Sequence, residues 1–176
     1  MTGFAKSAQT AILDDADVGL GRTLWLSLYR WSGTSGTGAG QEPNDDGTLP
    51  TNVVEVSTGG YVRKSVASGD WSTSTAGALG TASSKQVPKS GGSAISWTAA
   101  GASFGEVVAW GLHSASVSGT MILSGPLTDS AGAVTYRTIS DGDTFQFDAN
   151  NPIIVRIGDP ARVTDSTAGS QRTVPI

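Results

Sequence analysis

His113 is the first residue to consider for chemistry, because it is the single histidine of the chain. It ends an apolar segment, and Ser114 follows it directly. A Ser-His-Asp triad needs the histidine to face a serine and to be oriented by a carboxylate, whereas neighbouring residues of a strand point to opposite faces. The sequence also lacks a G-x-S-x-G nucleophile turn. We therefore interpret His113 as structural and predict no catalytic residues.

Two acidic clusters are candidates for binding a cation. Residues 44–47 read Asn-Asp-Asp-Gly, but they lack the alternating ligands and the terminal glutamate of an EF-hand loop. Asp141 and Asp143 flank a glycine, a position where aspartate is common because its side chain bonds to the turn backbone. We therefore predict neither a metal site nor a cofactor.

Trp31 and Trp71 are candidates for binding, because each lies beside a long segment rich in glycine, serine and threonine. Tryptophan is enriched in interface hot spots, and an exposed indole ring can also stack on a sugar. Large aromatic side chains are, however, mostly buried. Three interpretations stay open: a lid on the chain's own core, an anchor in a protein interface and a platform for carbohydrate.

Composition limits the classes of partner. The 176 residues include 11 basic and 15 acidic ones, and the basic residues are scattered. A nucleic-acid-binding surface needs clustered lysine and arginine, so we predict no nucleic-acid partner. No apolar stretch approaches the length that crosses a bilayer, and the N-terminus lacks the pattern of a signal peptide. We therefore predict no membrane partner and expect the chain to remain in the cytoplasm where it is made.

Hydrophobic periodicity predicts a mainly β domain. Helical spacing predicts a short helix at about residues 3–14, with Thr2 as its cap, and period-two alternation of leucines predicts a first strand from Arg22. No strand–helix alternation follows, which indicates an all-β sandwich or jelly roll. The further predicted strands lie near residues 52–57, 60–67, 94–98, 106–113, 119–125, 133–139, 143–148 and 152–157.

Three segments lie outside the predicted strands. Residues 31–52 and 68–93 are predicted long loops, because breakers interrupt any periodicity. Residues 158–176 are predicted to form an extended C-terminal arm after a single domain of residues 1–157. The arm cannot offset the entropy of its own ordering, so we expect it to dock as an added edge strand on its own domain or on a neighbouring subunit. Its expected contacts are Arg162, Val163, Arg172, Val174 and Ile176.

The segment 55–66 carries two further predictions. Gly59 and Gly60 separate two apolar strands, which indicates a hairpin turn with φ > 0 at one of the glycines. On the second of these strands, Arg63 is predicted to point to the face opposite Val62 and Val66. A guanidinium makes planar, bidentate contacts, so we predict a carboxylate or carbonyl partner for it, within the chain or on another protein. A solvated arginine on the sheet face is the alternative, because exposed ion pairs contribute little.

The same segment, EVSTGGYVRKSV, resembles a motif of type E-V-S-G-G-x-Y-x-R-x-x-V found in a family of small virion proteins of tailed bacteriophages. Members are commonly labelled tail fibre, minor tail or head-decoration proteins. TLWLSLYRWSG at residues 23–33 resembles the first strand of that family. Residues 95–127 resemble its central block, and GDTFQF at residues 142–147 resembles its closing strand.

The resemblance implies a non-enzymatic structural protein of a tailed-phage virion, assembled in the bacterial cytoplasm. Within this class we favour a capsid decoration protein that binds the major capsid protein, because a shell lattice would order loops and an arm that lack a core of their own. The alternatives are a minor tail or tail-fibre subunit, which would contact tail proteins, and a carbohydrate- or receptor-binding module. We also expect the chain to form a homo-oligomer.

Overall fold

The structure is 40% strand and 7% helix, so the predicted, mainly all-β class is confirmed. A computed structural model describes residues 6–17, 19–75, 83–157 and 171–173. Apart from helix α1 and a short 3-10 turn at Ser68–Asp70, the elements are strands. In chain order they are α1 (Lys6–Asp14), β1 (Leu24–Trp31), β2 (Val53–Glu55), β3 (Lys64–Val66), β4 (Ser83–Val87), β5 (Ile95–Thr98), β6 (Gly105–His113), β7 (Met121–Thr128), β8 (Val134–Thr135), β9 (Arg137–Ile139), β10 (Thr144–Phe147), β11 (Ile153–Ile157) and β12 (Gln171–Thr173).

The largest sheet is built on β1 and β6, which pair antiparallel. Its order is β2-β1-β6-β7-β8, with β3 also on β1 and β9 also on β6. Val108 is an extra residue in β6, because Tyr29 lies opposite Ala109 while Arg30 lies opposite Val107. Such a bulge re-aims the side chains around it. Val108 and Ala109 are consequently buried in the same small cluster as Tyr29.

Both faces of β1 are buried. Leu24, Leu26 and Leu28 alternate on the inner face and belong to the main core, as predicted. That core also includes apolar side chains from the two smaller sheets, so the large sheet packs against them in the manner of a sandwich. On the outer face Ser27 and Tyr29 are also buried. Burial of this second face was not expected from the alternating pattern.

The first of the two smaller sheets pairs β5 with β10, and the second has the order β12-β11-β4. β4 lies within residues 68–93, where we predicted only a loop, and that prediction is wrong. Ser83, Lys85 and Val87 are the buried residues of β4, so two of its three inward positions are polar. They are tolerated because Ser83 Oγ lies 3.0 Å from Gln9 Oε1 and Lys85 Nζ lies 2.6 Å from Asp14 Oδ1.

Helix α1 thus packs on β4 partly through polar contacts, and it also buries Leu13 in the main core. Its described part agrees with the predicted helix at about residues 3–14, and the predicted cap Thr2 lies outside the described residues. Neither this helix nor the 3-10 turn is long and apolar enough to cross a membrane, in the part of the chain that is described.

The predicted hairpin between residues 52 and 67 is wrong. β2 pairs with the C-terminal part of β1 and β3 with its N-terminal part, and both pairings are antiparallel. The two strands therefore run the same way and form two halves of one interrupted edge strand. The conformational prediction for the glycines is confirmed, since φ is +65° at Gly59 and +71° at Gly60. Gly59 is also crowded, because a Cβ there would lie 2.2 Å from the Ala102 carbonyl oxygen.

The segment predicted as one strand at residues 133–139 is two strands that separate at Tyr136. β8 pairs with β7, and β9 pairs with β6. β12 lies in the predicted arm and pairs parallel with β11, so this part of the arm does form an added edge strand.

Candidate functional site

A buried polar cluster lies on the outer face of β1 and β6. His113 Nε2 is 3.0 Å from Ser27 Oγ and 2.9 Å from the Tyr29 hydroxyl, while Nδ1 is 3.1 Å from the Gly119 carbonyl oxygen. A carbonyl can only accept, so the ring proton lies on Nδ1 and Nε2 is an acceptor. Ser27 donates its hydroxyl proton to the Gly111 carbonyl at 3.1 Å. Tyr29 is therefore the donor to Nε2.

The serine–histidine pair of this cluster is not arranged for nucleophilic catalysis. Ser27 has no exposed surface, and His113 is 4% exposed. The group that orients the ring is the Gly119 carbonyl and not a carboxylate. Burial lowers the pKa of His113, so the imidazole stays neutral at neutral pH. The geometry fits a structural role, in which the ring joins β1, β6 and the turn after β6.

Gly111 makes room for this cluster. A Cβ at this position would lie 2.8 Å from a ring carbon of Tyr29 and 3.0 Å from Ser27 Oγ. The sequence pointed to Ser114 as the neighbour of His113, but the serine that contacts the ring is Ser27 of another strand. The contact is diagonal across the two strands, because in the register Ser27 pairs with Gly111 while His113 pairs with Trp25. No local spacing could have identified it.

A second polar group lies on the segment 55–66 and holds it to the sheet. Arg63 binds Glu55 in a bidentate ion pair of 2.7 and 2.8 Å and donates to the Ala115 carbonyl at 3.0 Å. The prediction of a carboxylate or carbonyl partner is therefore confirmed. The Tyr61 hydroxyl accepts from the Leu28 amide at 2.9 Å and donates to Glu55 at 3.2 Å.

These contacts account for the pKa shifts in this group. Hydrogen bonding to Glu55 raises the pKa of Arg63, and burial raises the pKa of Tyr61, so the guanidinium is charged and the phenol is protonated. The Arg63 side chain is 11% exposed. Three residue types of the motif, Glu, Tyr and Arg, therefore serve to fasten an interrupted edge strand. That Arg63 also contacts a partner stays a prediction.

The long segment 32–52 is fixed by a buried carboxylate that the sequence did not single out. Glu106 Oε2 accepts from the Gly36 amide at 2.7 Å and from Ser35 Oγ at 3.2 Å, and Oε1 accepts from the Gly38 amide at 3.2 Å. Charge-assisted bonds of this kind are about twice as strong as neutral ones. The sequence does show a glutamate in the mainly apolar strand β6. The alternation of apolar residues did not reveal that its side chain is buried.

The two candidate tryptophans both pack against their own chain. Trp71 is 3% exposed and belongs to the main core. Trp31 is half-buried, and its Nε1 donates to the Thr34 carbonyl at 2.9 Å and to Thr37 Oγ1 at 3.2 Å. Gly38 lies so close to the Trp31 side chain that a Cβ there would be 2.5 Å from it. The lid interpretation accounts for both side chains, and an interface role for either stays a prediction.

Most of the predicted contacts of the C-terminal arm lie outside the described residues. These are Arg162, Val163, Val174 and Ile176. Arg172 lies in β12 opposite Val155 of β11. Their role in binding a partner stays a prediction.

Other parts of the surface offer less chemistry. No group of three or more His, Asp or Glu side chains that could hold a metal ion occurs among the described residues. An open cleft of about 540 Å³ lies between β7, β9 and β10. Phe145 and Phe147 line it but are only 8% and 6% exposed, so it lacks an aromatic platform for a sugar.

Comparison with known proteins identifies the family of the chain. A family model described as Podophage GP4 fiber I protein gp80 matches residues 11–154. No curated protein and no solved structure matches the chain significantly. The matched range includes the paired strands β1 and β6, the buried polar cluster and the Glu55–Arg63 ion pair. The chain therefore belongs to the podophage GP4 fiber I protein gp80 family, whose members are structural proteins of the tailed-phage virion.

Proposed function

We propose that the chain is a subunit of a fibre on the tail of a podophage-like virion. The observation that carries the proposal is the family match, which spans most of the chain and names a fibre protein. The capsid decoration hypothesis favoured by the sequence is not confirmed, and the family match favours the tail-fibre alternative. A carbohydrate- or receptor-binding module stays a prediction, without support from Trp71, which is buried.

The proposed role is structural and not catalytic. The support for a structural role is that three potentially reactive side chains form internal contacts. Ser27 and His113 are buried in a cluster that joins strands, and Glu106 holds backbone amides of segment 32–52. These three side chains, which could act in catalysis if they faced a substrate, are instead bound in internal hydrogen bonds. The bonds of Glu106 fasten residues 35–38 of the long segment to the sheet.

We further propose that the arm, residues 158–176, contributes to attachment between neighbouring subunits. A chain that ends at residue 157 keeps β1 to β11 and should fold. It should bind particles that lack this protein more weakly than the full chain does, measured by co-sedimentation. Equal binding by both chains would show that the arm contacts only its own domain.

The location is tested by immunogold electron microscopy of purified particles, with an antibody against the chain. Label on fibres of the tail supports the proposal, whereas label distributed over the head shell would contradict it. Copy number gives an independent measurement on a stained gel. A fibre subunit should be present in a few to dozens of copies per particle, whereas a decoration protein should be present in hundreds.

A further inference from the structure

The edge of β11 is where the described part of the arm attaches. Residues 171–173 form β12 and pair parallel with Ile154, Val155 and Arg156. The opposite edge of this three-stranded sheet is covered, because Thr75 and Ser84 exchange backbone hydrogen bonds of 2.8 and 3.0 Å beside β4. Among the described strands of this sheet, β11 therefore provides the edge that accepts the arm.

Pairing of this kind does not depend on which copy supplies the strand. The contact between β11 and β12 is made by backbone hydrogen bonds in a register of three residue pairs. The same bonds form whether β12 belongs to the same chain or to a second copy, so the pairing energy is equal in both arrangements. The balance is then set by the local concentration of copies, which is high wherever subunits are held side by side.

The connection between the two strands permits both arrangements. A parallel pair needs about a dozen connecting residues or more, and residues 158–170 meet that need within one chain. A fully extended connection of this length, at about 3.3 Å per residue, would span roughly 40 Å.

We propose that β12 is exchanged between copies of this chain, so that residues 171–173 of one copy pair with β11 of the next. The inference rests on the proposed fibre subunit, in which copies lie side by side, and it names the partner as a second copy and the site as the β11 edge. The sequence independently provides an arm that cannot fold alone and needs a ready-made surface.

The absence of cysteine in the chain makes this exchange directly testable. One full-length variant carries Arg156→Cys, and a second, with a tag that changes its mass, carries Thr173→Cys. These positions lie opposite each other across β11 and β12, where neighbouring Cα atoms are close enough for a disulfide. The two variants are mixed at high concentration, oxidised with diamide and run on a non-reducing gel. The matched control replaces Arg156→Cys by Ser116→Cys, an exposed position in the turn after β6.

Exchange predicts a covalent dimer of mixed mass that is several-fold more abundant for the test pair than for the control pair. The proposal is overturned if the two pairs give equal amounts. A third variant carries Arg156→Cys and Thr173→Cys in one chain. The proposal is also overturned if this variant forms an internal cross-link while the mixed test pair stays monomeric. A second pair, Ile154→Cys with Gln171→Cys, repeats the test in the same register if Arg156→Cys fails to fold. Label on the tail fibre together with no mixed dimer would refute exchange alone and leave the fibre assignment intact.

Discussion

Loss of the Glu55 carboxylate should destabilise the chain through the arginine that it leaves behind. Arg63 would keep the Ala115 carbonyl as acceptor and lose both bonds of the ion pair. Its side chain is 11% exposed, so water can replace Glu55 only in part. Tyr61 would also lose an acceptor for its hydroxyl proton.

The expected loss in the free energy of unfolding of Glu55→Ala lies between two limits. An exposed ion pair contributes about 0–1 kcal/mol, whereas removal of one partner from a buried pair costs about 3–5 kcal/mol. The Glu55 side chain is 28% exposed, which makes this pair intermediate. We expect Glu55→Ala to lower the free energy of unfolding by about 2 kcal/mol, within the range of hydrogen bonds to charged groups. For a chain of this length that corresponds to a fall in Tm of roughly 4–8 °C.

A double-mutant cycle tests this mechanism by thermal and urea denaturation of the wild type, Glu55→Ala, Arg63→Met and the double variant. The double variant should be more stable than the sum of the single costs predicts, by about 1–2 kcal/mol, because it leaves no unpaired charge. Asp17→Ala, at an exposed position without an ion pair to a described residue, is the control and should change Tm little. Additive costs, or a loss for Glu55→Ala no larger than for the control, would refute the reasoning.

Four further outcomes follow from the geometry. Gly111→Ala should cost about 1–3 kcal/mol in urea denaturation, because its Cβ overpacks the buried polar cluster. Gly59→Ala should lower Tm more than Gly60→Ala, since both have positive φ but only Gly59 would meet a carbonyl oxygen; equal shifts would contradict this. Burial lowers the pKa of His113, so the unfolded chain binds this proton more readily, and stability should be full above about pH 6.5 and fall as the pH drops below it. His113→Gln should flatten that part of the profile of Tm against pH, and an unchanged profile would exclude this histidine as its cause.

The sequence predicted the elements that show their pattern locally. β1 was predictable because three leucines alternate along it, and β10 because it follows a turn with Asp and Gly. β4 was missed because the inward positions Ser83 and Lys85 are polar and gain their partners from helix α1, far away in the chain. The hairpin error has a similar origin, because local turn residues do not say which strand an edge segment will pair with.

In the candidate site, too, contacts within one motif were easier to predict than contacts between distant parts of the chain. A carboxylate or carbonyl partner for Arg63 was one of two interpretations that the sequence allowed, beside a solvated arginine, and the partner Glu55 lies in the same motif. The contact of His113 with Ser27 and the role of Glu106 depend on cross-strand register and on where segment 32–52 folds back. Such contacts between distant parts of the chain leave no spacing signal in a single sequence.

The interrupted edge strand has a consequence for solubility. A long, flat edge presents unpaired backbone groups in regular order, and another sheet can add to it without limit. Here the edge beyond β1 consists of two strands, each of three residues, separated by the excursion through Gly59 and Gly60. Each half offers only three residues for pairing, and a short, interrupted edge is one way in which proteins limit such additions. The Glu55–Arg63 pair, which holds the excursion in place, thus also helps to keep this edge of the largest sheet short and interrupted.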